Sequence, residues 1–224
     1  MATLRGQALL TALGEAGLGD WQGFPDGIRA RFLSGTFTTG LHLVEAIGAA
    51  AEERNHHPEV TLAFAYVDVH LVSHDAGGVT DRDMELARRI SVIARSLDVR
   101  ADLAAPVTLE LALDTADPDE IAPFWSAVLT CEEDNVEGHD VIDPTGRVPL
   151  LWFQDTDPHD PPRQRFHLDV WVGADQAAAR IEAALAAGGV VDDDGEAPSF
   201  TVLADAQGNR VCICTIADRG SPAE

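Results

Sequence analysis

Residues 52–83 read EERNHHPEVTLAFAYVDVHLVSHDAGGVTDRD, and this stretch decides how the first half of the chain is organised. Upstream of it, Leu43, Ile47 and Ala51 recur at a spacing of four, which predicts a helix from about Thr39. Pro58 disfavours helical geometry in the residue before it, so that helix stops near His57. The segment 61–74 then places Ala63, Ala65, Val67, Val69 and Leu71 at odd positions and Tyr66, Asp68, His70 and His74 at even ones. This alternation predicts one long strand with a dry and a mixed face. Gly77-Gly78 turns the chain, and Thr80-Asp81-Arg82-Asp83 has the pattern of a capping box opening a helix that runs through Ile93.

Histidine, glutamate and aspartate are distributed over this stretch in a way that suits proton transfer. His56 and His57 close a helix whose C-terminal partial negative charge favours imidazolium. Glu52 and Glu53 each precede one of these histidines by four residues, close enough to orient or charge-pair the rings. His74 closes the following strand. Each residue also has a plainer reading: a solvated His-His cap, a polar strand end, and in Asp83 a carboxylate at the third helical position that caps amides whatever the function.

Working outward, Ile28–Leu33 alternates like a half-buried strand, and the N-terminus, MATLRGQALLTALGEAGLGDW, reads as an amphipathic helix without the apolar core of a signal peptide. The chain has 224 residues, of which 46% are hydrophobic and 24% charged, an ordinary balance for one large or two modest domains. Its 15 basic residues are all arginine, against 38 acids, for a net charge of -23. The absence of lysine removes Schiff-base chemistry and a Walker-type phosphate site. The negative charge argues against nucleic acid as a ligand, because such affinity comes mainly from phosphate neutralisation. Three cysteines in a chain of this size point to a reducing compartment. No window approaches 18 uninterrupted apolar residues, so no membrane span is expected and a cytoplasmic location is.

Charge divides the chain: up to Asp102 it carries net -5, and from Leu103 onward net -18. The expected layout is a domain at 1–102, a linker at 103–106, a second domain at 107–216 and a tail at 217–224. The second half holds a weak repeat. VTLELAL (107–113) and RFHLDVWV (165–172) each precede a helix, to about Leu129 and through Ala187. Strand-like segments follow: VPLLWFQ (148–154) in one copy, FTVLAD (200–205) and RVCICT (210–215) in the other. The copies are joined by the proline-rich loop DPHDPPRQ (157–164). Both halves are expected to be α+β with largely antiparallel sheets.

Taken in order, Glu52, His56, His57, Pro58, Phe64, His74 and Asp83 resemble the signature of the pterin-4a-carbinolamine dehydratase family. Trp21, Ile28, Phe32 and Phe37 are similar to that family's N-terminal tryptophan and strand aromatics, so the resemblance covers about residues 5 to 100. Thr38-Thr39-Gly40-Leu41 departs from it, where larger apolar residues are usual. The resemblance implies an antiparallel sheet with helices on one face, and dehydration of 4a-hydroxytetrahydropterin to the quinonoid dihydropterin. On that reading His56, His57, His74 and Asp83 are catalytic, while Glu52, Pro58, Trp21 and Phe64 help bind the pterin. Pterin is then the substrate, no cofactor is needed, and a homo-oligomer is expected. The competing reading is a non-catalytic module that binds pterin or protein and dimerises.

The duplicated module, with Pro123-Phe124-Trp125 and DAQGNRVCIC (205–214), resembles the glyoxalase/bleomycin-resistance (vicinal oxygen chelate) superfamily over residues 107–216. It implies a duplicated βαβββ fold around a ligand cup. Metal-dependent members carry His, Gln or Glu at four strand positions; here they fall on Glu110, Trp152, His167 and Cys212. Two oxygen or nitrogen donors survive, a count that weighs against a resident divalent metal. Cys212 and Cys214 read either as a soft ligand pair or as inert packing. Trp152 and Trp171 suit a flat organic ligand, and the excess of acids favours a neutral or cationic one. The rival here is metal-dependent lyase, isomerase or dioxygenase chemistry in the cup.

Overall fold

A computed structural model of the chain describes residues 3–130, 132, 134–146, 148–157, 166–186, 189–204 and 210–219. The proline-rich loop at 158–164, the DAQGN segment and Cys131 lie outside the described residues. The chain splits into two compact units: Met1–Pro106 with Val172–Ala177 and Thr215–Glu224, and Val107–Trp171 with Ala178–Cys214. The first unit thus takes in two segments from beyond the proline-bearing junction.

The first unit begins with helix α1 (Gly6–Glu15), strands β1 (Gln22–Phe24) and β2 (Gly27–Leu33), and helix α2 (Phe37–Arg54). Strands β3 (Glu59–Leu62) and β4 (Val67–Leu71) follow, then a short 3-10 turn (His74–Ala76), helix α3 (Asp81–Ser96) and strand β5 (Arg100–Ala101). The sheet order is β1-β2-β4-β3, with β5 added to β2, and every pairing is antiparallel. Ile28 pairs with Leu71, Ala30 with Val69 and Phe32 with Val67, so six buried apolar side chains share one face. Leu43 and Ile47 of α2 and Leu86, Ala87 and Ile90 of α3 complete this core. The opposite face carries Arg31, bound to Asp68 by two 2.6 Å hydrogen bonds, with its guanidinium 3.9 Å over the Tyr66 ring.

The segment 61–74 is not the single strand its alternation predicts. The Ala63 amide donates to the Tyr66 carbonyl at 2.9 Å, closing a turn between β3 and β4. Leu62 pairs with Val67 across that turn, so the inward residues are even-numbered on β3 (Val60, Leu62) and odd-numbered on β4. A four-residue reversal changes the parity, and the alanines at 63 and 65 hide the change because they extend the odd apolar series through it. Gly40 explains the unusual start of α2: a Cβ there would lie 2.5 Å from Leu62 Cδ1 and 3.1 Å from Ser34 Oγ. The helix approaches β3 too closely for a larger residue.

The second unit repeats one motif. Its first copy is β6 (Val107–Thr115), α4 (Pro118–Thr130), β7 (Val136–Glu137), β8 (Asp140–Val141) and β9 (Leu151–Asp155). Its second is β10 (Phe166–Val172), α5 (Ala177–Ala186), β11 (Val190–Asp193), β12 (Phe200–Ala204) and β13 (Arg210–Cys214). The strand order β11-β12-β13-β10-β6-β9-β8-β7 reads as two βαβββ modules meeting at β10 and β6. Within each copy the first strand runs parallel to the fourth, β6 to β9 and β10 to β13, while the last three strands are antiparallel neighbours. The sheet is therefore mixed, because a helix crossover returns each module's chain beside its first strand in the same direction. Leu113, Leu151 and Phe153 form an apolar cluster with Ala122 of α4, which leaves Glu110, Ala112, Asp114 and Trp152 on the other face.

Candidate active site

Helix α2 ends at Asn55, whose left-handed conformation (φ 47°, ψ 42°) terminates the helix. The Asn55 amide donates to Glu52 O, and the His56 amide donates to Ala51 O at 3.1 Å. The chain leaves the cap toward β3, and the two neighbouring histidines part company. His56 is buried; its Nε2 lies 2.7 Å from Asp83 Oδ1. His57 is exposed, and its Nε2 meets Glu52 Oε1 at 3.2 Å. Glu52 therefore partners His57, although it stands one helical turn before His56.

Asp83 is completely buried and uses both carboxylate oxygens. Oδ2 accepts from the Thr80 amide at 2.7 Å and from Ser73 Oγ at 2.6 Å, with Thr80 Oγ1 at 3.2 Å. The Ser73 and Thr80 hydroxyls are themselves 2.8 Å apart. The carboxylate is thus the reciprocal half of the α3 capping box and the acceptor for His56 at once. Two readings that compete in the sequence, cap and ring partner, are both true of different oxygens of one side chain. Every donor on this buried acceptor is accounted for, which holds the His56 ring in place.

His74 starts the 3-10 turn after β4 and is exposed. That turn closes through Gly77 in the left-handed region (φ 65°) and through the Gly78 amide donating to Ser73 O. Beside it, Arg82 hydrogen-bonds Asp75 and holds that carboxyl below the usual carboxylate range. Ser73 is the residue that the sequence reading passes over. Its signal is parity: it continues the inward series Val67, Val69, Leu71 with a hydroxyl, and a polar side chain on a buried face needs a partner.

Trp21 and Phe64, both expected to help bind the pterin, stand in opposite surroundings. Trp21 is 3% exposed, donates from Nε1 to Ser91 Oγ at 3.0 Å and packs edge-on against Phe32. It is a core residue that ties β2 to α3. Phe64 stands at the tip of the β3–β4 turn, 75% exposed. Pro58 is half-buried between His57 and the start of β3.

In the second unit, Asp169 pairs directly with Cys212 across β10 and β13, and Trp171 with Cys214. Alternation puts His167, Asp169 and Trp171 on one face of β10. The Trp152 ring stands edge-on to His167 with centroids 5.4 Å apart, and its Nε1 donates to Asp169 Oδ2 at 3.2 Å. The cup candidates Trp152, His167, Trp171 and Cys212 thus share a face, with Glu110 half-buried further along β6. Asp169 and Asp114 are additions that the sequence reading did not name. Trp171 is buried, which gives it a packing role in this face. Desolvation pushes the Asp140 carboxyl, on β8 opposite Trp152, above its ordinary range.

An antiparallel sheet with helices packed on one face, and a capped carboxylate holding a buried imidazole, defines an α+β class for the first unit. The comparisons agree in the first unit and extend to the second. Residues 2–93 match the model of the pterin 4 alpha carbinolamine dehydratase family, and residues 110–214 match that of a glyoxalase-like domain. A Nocardia farcinica protein named "Putative pterin-4-alpha-carbinolamine dehydratase" is 36% identical over 92 residues, covering 41% of this chain and 95% of the relative. A protein of the same name from Natronomonas pharaonis is 39% identical over 74 residues, covering 33% of this chain and 80% of its own. Among solved structures, a transcriptional coactivator/pterin dehydratase from Brucella melitensis is 32% identical with a TM-score of 0.39, covering 42% of this chain and 99% of that one. The chain belongs to the pterin-4a-carbinolamine dehydratase family through its first unit, and carries a glyoxalase-like domain in its second. Among the described residues, no helix is long and apolar enough to cross a membrane.

Proposed function

We propose that the first unit dehydrates a 4a-hydroxytetrahydropterin to the quinonoid dihydropterin, with His56, His57 and His74 as its acid–base set. The C4a–O bond breaks, the hydroxyl takes a proton and leaves as water, and the neighbouring ring nitrogen loses a proton as the C=N bond forms. The protons balance, so the step needs no redox partner and the pterin enters as substrate. Each positioned proton transfer contributes roughly 10²–10⁴-fold.

The observation that carries this reading is the division of environments among the three rings. His56 is buried on a fully engaged carboxylate, whereas His57 and His74 are exposed on the segments that flank it in sequence order. Imidazoles in unlike surroundings can hold their protons with unlike strength, which one acid and one base require. Asp83 and Glu52 act as positioning residues for His56 and His57. The second unit serves as an accessory ligand-binding domain, and its excess of acids favours a neutral or cationic ligand.

The test is the ultraviolet change of the pterin ring on mixing a 4a-hydroxypterin with the full chain. His56→Ala and His74→Ala should each lose most of the rate above buffer while circular dichroism is retained. A His56/His74 double variant as fast as the parent would remove the assignment.

A further inference from the structure

We propose that two segments, Val172–Ala177 and residues 215–219, act as clasps that close the α1–β1 corner of the first unit, and that through them this corner and the two modules of the second unit fold as coupled structures. Both segments belong to the first unit, although each directly continues a strand of the second, β10 or β13. Residues 215–219 also lie beyond the stretches that match either family, so this clasp comes from neither domain's family pattern.

The corner is shaped to receive these segments. Ile216 is 5% exposed, and burial of so large an apolar side chain favours the clasped state. A Cβ on Gly23 of β1 would lie 2.8 Å from Ile216 Cδ1 and 3.4 Å from Leu9 Cδ2, so β1 carries glycine where the isoleucine enters. Gly6, at the start of α1, has a left-handed backbone (φ 50°), and a Cβ there would lie 2.8 Å from the Arg219 carbonyl oxygen. The other segment is held by polar contact. The buried Gln22 amide donates from Nε2 to Asp175 Oδ2 at 3.3 Å, and a Cβ on Gly173 would lie 2.1 Å from Gln22 Oε1.

Topology makes the two clasps act together. Trp171 pairs with Cys214 across the parallel strands β10 and β13. The next residues, Val172 and Thr215, begin the clasps, so the folded strand pair releases both about 4.8 Å apart and in the same direction. A second contact delivered beside a first one forms at high effective concentration. Folded β10 and β13 therefore strengthen both clasps at once. The benefit runs the other way too. Residues 107–171 leave the first unit after Pro106 and return at Val172, while residues 178–214 leave after Ala177 and return at Thr215. Pinning both ends of a module removes freedom from its unfolded chain, which favours the folded module. Such a coupling is reciprocal, so loosening a clasp loosens the strands that lead into it.

Two measurements on the full chain test this. The first is a double-mutant cycle read by the urea midpoint: Gly23→Ala sets a methyl against Ile216 Cδ1, and Ile216→Val deletes that atom. Gly23→Ala should lower the midpoint in the parent, and by less than half as much in the Ile216→Val background. No loss in the parent, or equal losses in both backgrounds, overturns the seating of Ile216 on β1. The second is hydrogen exchange of Ile216→Ala followed by mass spectrometry. Amides of residues 6–24 and those of β10 and β13 should all exchange roughly tenfold faster or more, while β3 and β4 keep the parent's protection. Faster exchange confined to residues 6–24, with β10 and β13 as in the parent, overturns the coupling.

Discussion

His56 and Asp83, 27 residues apart, meet at 2.7 Å through Nε2 and Oδ1, and the same carboxylate starts helix α3 with its other oxygen. Asp83→Asn replaces one acceptor with a donor that faces either the ring or the Thr80 amide. Facing the ring, the new NH2 obliges His56 Nε2 to accept rather than donate; facing the Thr80 amide, it forfeits that bond. We expect a fall of at least tenfold in dehydration rate together with about 1–3 kcal/mol of stability, the range for leaving a buried polar group unsatisfied. Parallel rate and urea-denaturation measurements check it, and a variant that keeps both would show that the carboxylate positions neither.

Ser73→Ala separates the two duties. It removes one donor to Oδ2 but leaves the Thr80 amide and the His56 contact in place. Stability should fall by about 0.5–1.5 kcal/mol, the net value of one hydrogen bond, with a rate loss smaller than that of Asp83→Asn. Rescue by Ser73→Thr, which keeps the hydroxyl, distinguishes the bond from the packing.

Trp21→Phe should cost stability and leave substrate affinity alone. The indole is buried against Phe32 and bonded to Ser91, and phenylalanine keeps the ring while losing the donor. About 1–2 kcal/mol of destabilisation is expected from the lost bond and the smaller ring. A raised KM at unchanged melting temperature would instead return Trp21 to the pterin site.

Burial raises the Asp140 carboxyl, so the folded chain binds its proton more tightly than the unfolded chain does. The contribution of this group to stability is full below its unfolded value of about 3.9 and is lost as pH rises through the higher folded value. Asp140→Asn makes the side chain permanently neutral. Near pH 7 it should raise the melting temperature of the second unit by a few degrees at most, and near pH 3 it should change nothing. Calorimetry at the two pH values decides the sign.

Much of this was readable in the residues. Helix α2 announced itself by fourfold apolar spacing, the start of α3 by Thr80 and Asp83, and the duplicated module by two strand–helix runs in the same order. The β3–β4 reversal escaped because alanine fits a turn as well as a strand, and because a four-residue loop changes parity without changing apolar rhythm. Partnerships were harder than elements. Glu52 is near both histidines in sequence, and only the geometry after Asn55 decides that it meets His57. Asp169 was hidden because its neighbours Cys212 and Trp152 come from other strands, which one-dimensional spacing does not encode.

The left-handed residue at Asn55 makes the two histidines inequivalent by counting alone. Chemically they are the same side chain, and nothing in their immediate composition ranks one above the other. Because the cap resets the backbone to an extended run, odd and even steps from it face interior and solvent in turn. The distance in residues from cap to ring therefore acts as an address. Inserting one residue between Asn55 and His56 would exchange the two addresses, and deleting one would send proline's neighbour to the inner position. Chain length between the cap and Pro58 is therefore a requirement of this stretch alongside the two histidines themselves.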